Sequence, residues 1–122
     1  MFVYIYVADT GGHGIQKYYD GEWVGGWPNV KGKKPHFFNS PHGLAVDSKA
    51  YVYVADTKNH RIKKYTSVGQ KLLTYWGKKK AKKGKKYGEF NNPMGVAVNW
   101  DSTNIYVADT GNKRIQKFIV ER

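Results

Sequence analysis

The sequence predicts an all-β chain built from repeated antiparallel four-stranded blades, the unit of a β-propeller. Three observations carry that expectation. The pentapeptide Tyr-Val-Ala-Asp-Thr stands at 6–10, 53–57 and 106–110, and self-similarity at roughly 50 residues fits propeller blades better than shorter-period solenoids. The apolar segments are short, rich in Val, Ile, Tyr and Phe, and bounded by Gly, Asn, Asp and Pro, as strands and turns are. No stretch sustains a helical period.

The flanks of the pentapeptide repeat as well. Arg61-Ile62-Lys63-Lys64-Tyr65 answers to Arg114-Ile115-Gln116-Lys117-Phe118, and in the first copy to Gly14-Ile15-Gln16-Lys17-Tyr18. Upstream, residues 38–47 align without a gap onto 90–99. In order along the second copy, strand a is expected at 42–46, b at 51–55, c at 61–65 and d at 71–76. The b to c connection is 56–60. The c to d connection is 66–70, where Gly69 can take a positive φ. Pro41 and Pro93 end the connection into strand a, Gly43 and Gly95 permit close packing near the hub, and Phe38 and Phe90 pack between blades. By this register, 1–30 supplies strands b to d of one blade, 37–77 is a complete second blade, and 88–122 supplies strands a to c of a third. Residues 78–87 form a lysine-rich loop between blades.

Residues 53–62 and 106–115, with the Phe-Asn-x-Pro-x-Gly-x-Ala-Val block before each, resemble the NHL repeat. The resemblance implies a propeller, usually six-bladed. The first copy departs from the pattern, because Gly11-Gly12-His13-Gly14 lacks both the Asn and the Arg. About two and a half blades make an open arc that exposes strand edges and inter-blade faces. Two accounts follow: further blades belong to a longer parent chain, or copies associate head to tail, a homodimer approximating a six-bladed ring. The starting Met and the exposed faces favour assembly.

Composition bounds the rest. A 122-residue chain with 40% hydrophobic residues reads as one domain with a packed core, in spite of a net charge of +12. No apolar run approaches the roughly 20 residues of a helical membrane span, and no leader pattern is visible. The expectation is a soluble chain. With no cysteine, disulfides and thiolate chemistry are excluded and the compartment stays open. In an up-and-down blade the b to c loop and the d to a connection emerge on one face. That face gathers Lys31, Lys33, Lys34, Lys58, Lys78, Lys79, Lys80, Lys82, Lys83, Lys85, Lys86 and Lys113, with Arg61 and Arg114. Such a face attracts polyanions. Aromatic neighbours suited to base stacking, His36 and Phe37 after Lys34 and Tyr87 after Lys86, make single-stranded RNA the leading candidate. The resemblance adds that some NHL-domain proteins bind RNA on such a surface. The expected contacts are Lys58, Lys78, Lys79, Lys80, Lys82, Lys83, Lys85, Lys86 and Lys113, with Tyr87 as a stacking group. In the competing reading the run is a solvated, mobile loop on a protein-interaction or structural module.

Asp9, Asp56 and Asp109 end strand b, and Arg61 and Arg114 open strand c. A carboxylate array around a channel is a metal-site pattern, but recurrence once per repeat points to framework. Each Asp is expected to cap its own b to c turn and pair with the following Arg. Asp9, opposite Gly14, needs another partner in the Gly-rich turn. His13, His36, His42 and His60 lack ligand spacing, and no nucleophile motif is present. Neither a metal, a cofactor nor a catalytic site is expected. Trp100, in an a to b turn, is a minor candidate for partner contact. The function these residues predict is a non-catalytic binding scaffold.

Overall fold

Alternation along each strand gives these sheets two apolar faces, so they bury surface by stacking sheet on sheet. In the computed structural model, which describes residues 3–27, 29–66 and 71–120, the strands form three antiparallel sheets. The first orders β1 (Tyr4–Asp9), β2 (Gly14–Tyr19) and β3 (Glu22–Gly26). The second orders β4 (Gly43–Val46), β5 (Val52–Asp56), β6 (Arg61–Tyr65) and β7 (Leu72–Gly77). The third orders β8 (Gly95–Val98), β9 (Asn104–Asp109) and β10 (Arg114–Ile119). These are the antiparallel sheets of a propeller, with each pentapeptide Asp closing its strand. Gly69 lies outside the described residues. The β2 to β3 hairpin turns on Asp20 (φ 49°) and Gly21 (φ 82°), paired left-handed residues of the kind that match strand twist.

The core lies between sheets. Val52 and Val54 of β5 point to the first sheet and pack with Ile15, Trp27, Phe38 and Tyr65. Tyr53 and Ala55 point the other way and pack with Ile62, Phe90, Ile105 and Val107. Phe38 and Phe90 are fully buried, one in each cluster, as expected. The middle sheet is therefore covered on both faces. Its inner strand approaches the next closely: a Cβ at Gly43 would stand 2.6 Å from the Met94 carbonyl oxygen and 3.0 Å from the Gly95 Cα. Glycine is needed there for proximity and not for its φ.

Each joint is made with the same residues. Tyr6, Ala8 and Ile15 present one face of the first sheet, and Tyr53, Ala55 and Ile62 the corresponding face of the second. Tyr106 and Ile115 take the same places on the third sheet, where they are 38% and 68% exposed. At the other end of the arc Ile5 and Val7, counterparts of Val52 and Val54, are also exposed. The same two hydrogen bonds recur at both joints. Thr10 Oγ1 donates to the Pro41 carbonyl and Thr57 Oγ1 to the Pro93 carbonyl, both at 2.8 Å. The backbone N–H of Ser40 donates to His13 Nδ1 at 3.0 Å, and that of Asn92 to His60 Nδ1 at 2.9 Å. The pentapeptide Thr, silent in the sequence reading, is an inter-blade fastener. Thr57→Val should cost about 1–3 kcal/mol by orphaning a buried carbonyl. Thr110→Val, at an exposed hydroxyl that reaches only its own strand, should change the urea midpoint little.

Candidate functional site

The basic face is built on the b to c turns. After β5 a single 3-10 turn at Thr57–Asn59 is closed by His60 in the left-handed region, and after β9 Thr110–Asn112 is closed by Lys113 in the same way. Neither Asp makes the expected side-chain cap on its own turn. The Lys58 N–H, which a cap by Asp56 would take, goes to the Asn39 carbonyl, and the carboxylate faces the incoming connection. Asp56 Oδ1 accepts the backbone N–H of Asn39 at 2.8 Å. Asp56 Oδ2 accepts from Asn59 Nδ2 at 3.0 Å and from Arg61 Nε at 2.8 Å. Asp109 repeats the pattern with Asn91, Asn112 and Arg114. The Asp to Arg pairing expected from the sequence is present in both repeats.

The remaining donors grip the connection ahead of Phe38. Arg61 Nη1 donates to the Lys33 carbonyl, and its Nη2 to those of Lys34 and Phe37. Asn59 Nδ2 donates to the Gly32 carbonyl at 2.7 Å, and Lys63 Nζ to that of Phe37 at 2.9 Å. Ahead of Phe90, Asn112 Nδ2 donates to the Gly84 carbonyl and Arg114 Nη2 to the Lys86 and Glu89 carbonyls. Gln116 Nε2, in the place of Lys63, donates to Glu89.

These two connections are therefore one repeated structure, Lys31-Gly32-Lys33-Lys34 and Lys83-Gly84-Lys85-Lys86. The sequence reading missed it, although extending the gapless alignment upstream from Phe38 and Phe90 brings the two segments into register. The carbonyls of Gly32, Lys33, Lys34, Gly84 and Lys86 turn inward to Arg and Asn, while the side chains of Lys31, Lys33, Lys34, Lys83, Lys85 and Lys86 are exposed. Lys78, Lys79, Lys80 and Lys82 are exposed too, on a segment held by a Lys78 to Lys82 bridge. Lys58 and Lys113 stand exposed on the b to c turns. Tyr87 is 93% exposed, with the Arg114 guanidinium 5.8 Å from its ring centre. Phe37 differs from expectation: its ring covers Gly32, where a Cβ would meet it at 2.6 Å, so it serves packing. Asp9 lies against Gly12 in the Gly-rich turn, where a Cβ would stand 2.5 Å from its carboxylate. Trp100 is 86% exposed. Among the described residues, no group of three or more metal-ligating side chains forms.

Among the recesses of the described surface, two involve charged residues of the second blade. A groove of about 620 Å³ lies between the second and third sheets, lined by Asn39, Lys58, His60, Ala81, Lys82, Lys83 and Asn92. A smaller one of about 270 Å³ surrounds Asp47, which accepts the Tyr53 hydroxyl at 3.0 Å.

Charge states follow from these contacts. Burial alone would raise the Asp109 carboxyl, but hydrogen bonds from Asn91, Asn112, Arg114 and Gln116 together hold it below the usual range. Burial pulls the Lys63 ammonium down to about 7, against the opposing pull of Asp56 and with a smaller push from Arg61. The ammonium lies 3.9 Å from the centre of the Phe38 ring.

The NHL repeat signature matches residues 38–65 and 90–118. This chain carries NHL repeats. The two matched segments are those that keep the Asn and Arg of the gripping network. The fold is similar, at low identity, to part of an auxiliary nutrient binding protein from Bacteroides thetaiotaomicron (17% identity, TM-score 0.70, 93% of this chain and 34% of that one). It is similar too to part of a protein of unknown function from that organism (19%, 0.77, 95% and 32%). A third is the virginiamycin B lyase from Staphylococcus aureus (13%, 0.58, 98% and 38%). The chain thus spans about a third of the length of these structures, and the likeness is one of fold. No curated protein matches it in sequence. Among the described residues no helix is long and apolar enough to cross a membrane.

Arg61→Ala should lower stability by about 3–5 kcal/mol by leaving a buried, unpaired carboxylate. Arg114→Ala should cost less, since that guanidinium is 26% exposed. Because Lys63 titrates near 7 when folded and near 10.4 when unfolded, the unfolded state binds more protons between those values. Stability from this group then rises with pH across that window, by on the order of 2 kcal/mol from pH 7 to 9. Lys63→Gln, the residue type at 16 and 116, should remove that rise in urea midpoints.

Proposed function

We propose that this NHL-repeat chain is a non-catalytic binding scaffold whose basic face engages a polyanion, with single-stranded RNA the first candidate. The observation that carries the reading is the doubled Lys-Gly-Lys-Lys connection. In each, Arg and Asn hold the backbone while the lysine side chains stay exposed. Fixed carbonyls with outward ammonium groups bring positive charge to the same height on neighbouring blades, and a strand laid across the face would meet both. The contacts proposed are Lys58, Lys78, Lys79, Lys80, Lys82, Lys83, Lys85, Lys86 and Lys113. Tyr87, exposed on one side and backed by Arg114, offers a ring for base stacking. The repeat Asp and Arg residues are committed to one another, which supports a framework role for them and not a catalytic one.

A second reading rests on the exposed outer faces and on Trp100. The third sheet presents Tyr106 and Ile115, the residue types that already receive a neighbouring blade within the chain, so a second copy docked head to tail would bury them. Two such chains would approximate a six-bladed ring.

Affinity for a single-stranded oligouridylate should fall with salt at a log–log slope near −3.5 if about five phosphates are neutralised. Serine at each lysine of 78–86 should weaken binding severalfold. A salt-insensitive isotherm, or tight binding that instead needs Trp100, would replace this reading with protein docking. A solution mass of a monomer would sink the ring.

A further inference from the structure

The groove between the second and third sheets combines three features that meet nowhere else among the described residues. The first is a fixed imidazole. His60 Nδ1 accepts the Asn92 backbone N–H at 2.9 Å, so the ring is neutral with its proton on Nε2. Burial, with Lys83 adding to it, lowers the His60 pKa and outweighs the opposing carboxylates of Asp56 and Asp109. The second is charge: Lys58, Lys82 and Lys83 line the groove and no carboxylate does. The third is room: an open groove of about 620 Å³ has space for a phosphate group that remains part of a longer strand.

We propose that this groove is a phosphate-binding site, in which the His60 Nε2–H and the ammonium groups of Lys58, Lys82 and Lys83 hold one phosphate group. Asn39, also on its wall, adds a side-chain amide donor, while the Asn92 amide donates to Asn91 Oδ1 at 2.7 Å. The site deepens the polyanion reading and rests on it: it names the point where one phosphodiester of the strand is seated while the surrounding lysines act at longer range. A neutral donor suits this task, because it adds a directed hydrogen bond where ammonium groups add field.

The molecule supplies its own control. At the first joint His13 is fixed in the same way by the Ser40 N–H. There Gly11 stands in the place of Lys58 and Val30 in that of Lys82, which leaves only Lys31 as a counterpart of Lys83. The same imidazole is present with two of the three cations missing.

The test titrates the full chain with inorganic phosphate at constant ionic strength and follows the imidazole nitrogens of His60 and His13 by NMR. The His60 signals should shift and saturate, and those of His13 should not. A Lys58→Ser, Lys83→Ser double variant, at exposed positions and checked for a native spectrum, should need about tenfold more phosphate to reach the same shift. Equal responses at the two histidines, or an unchanged titration in the double variant, would reduce the groove to general charge attraction and overturn the site. Oligouridylate binding with its salt dependence, alongside an unmoved His60, would remove the site and leave the polyanion reading standing. If neither probe binds, both fall.

Discussion

The structure depends on one buried carboxylate in each complete b to c turn. Removing a carboxylate from water is costly unless donors replace the lost solvent. Asp56 and Asp109 are fully buried and find theirs in a backbone N–H, an Asn amide and an Arg Nε. In meeting that demand each Asp orients its Arg, and each Arg then spends its remaining N–H groups on carbonyls of the connection that leads into its own sheet. A framework charge thus shapes a loop it does not belong to. Where the Arg and Asn are missing, around Asp9, the turn falls back on glycine and close packing.

Much of this was legible in the residues. The repeated pentapeptide located strand b, and from it the order and direction of every strand followed, because alternation and turn residues leave little freedom once one strand is placed. The pairing of Asp56 with Arg61 and of Asp109 with Arg114 was legible for the same reason. What was not legible concerns partners outside the turn. The sequence places Asp56 beside its own turn, and only the fold shows that its first oxygen faces Asn39. The Lys-Gly-Lys-Lys repeat was in plain view, but its lysines read as a charge run because the feature that defines it is carbonyl direction. Nor does a lone histidine declare its tautomer. His13 and His60 act as acceptors because a left-handed turn aims Nδ1 at the next blade's amide.

Inward and outward roles are divided cleanly on the basic face. Backbone carbonyls and the buried Asp, Asn and Arg groups supply the architecture, while the lysine side chains project from it and carry none of the packing. Lys63 is the instructive exception, a cation drawn into the joint between Phe38 and Tyr65, where it serves as a donor to one carbonyl. Its counterpart Gln116 performs the same service without charge. The fold therefore asks for a hydrogen-bond donor at this place, and burial disfavours the charged form of the lysine that supplies it. Surface lysines and buried donors answer to different demands even when the residue type is the same.

The Thr and His fasteners, with the Tyr, Ala and Ile that surround them, make every joint chemically alike. An interface that repeats along a chain need be perfected only once. A further blade carrying the same residues would present two faces that already fit its neighbours. Connections between blades, such as the one from Lys78 to Lys82, can then differ from blade to blade. The joints repeat, and the connections between them vary.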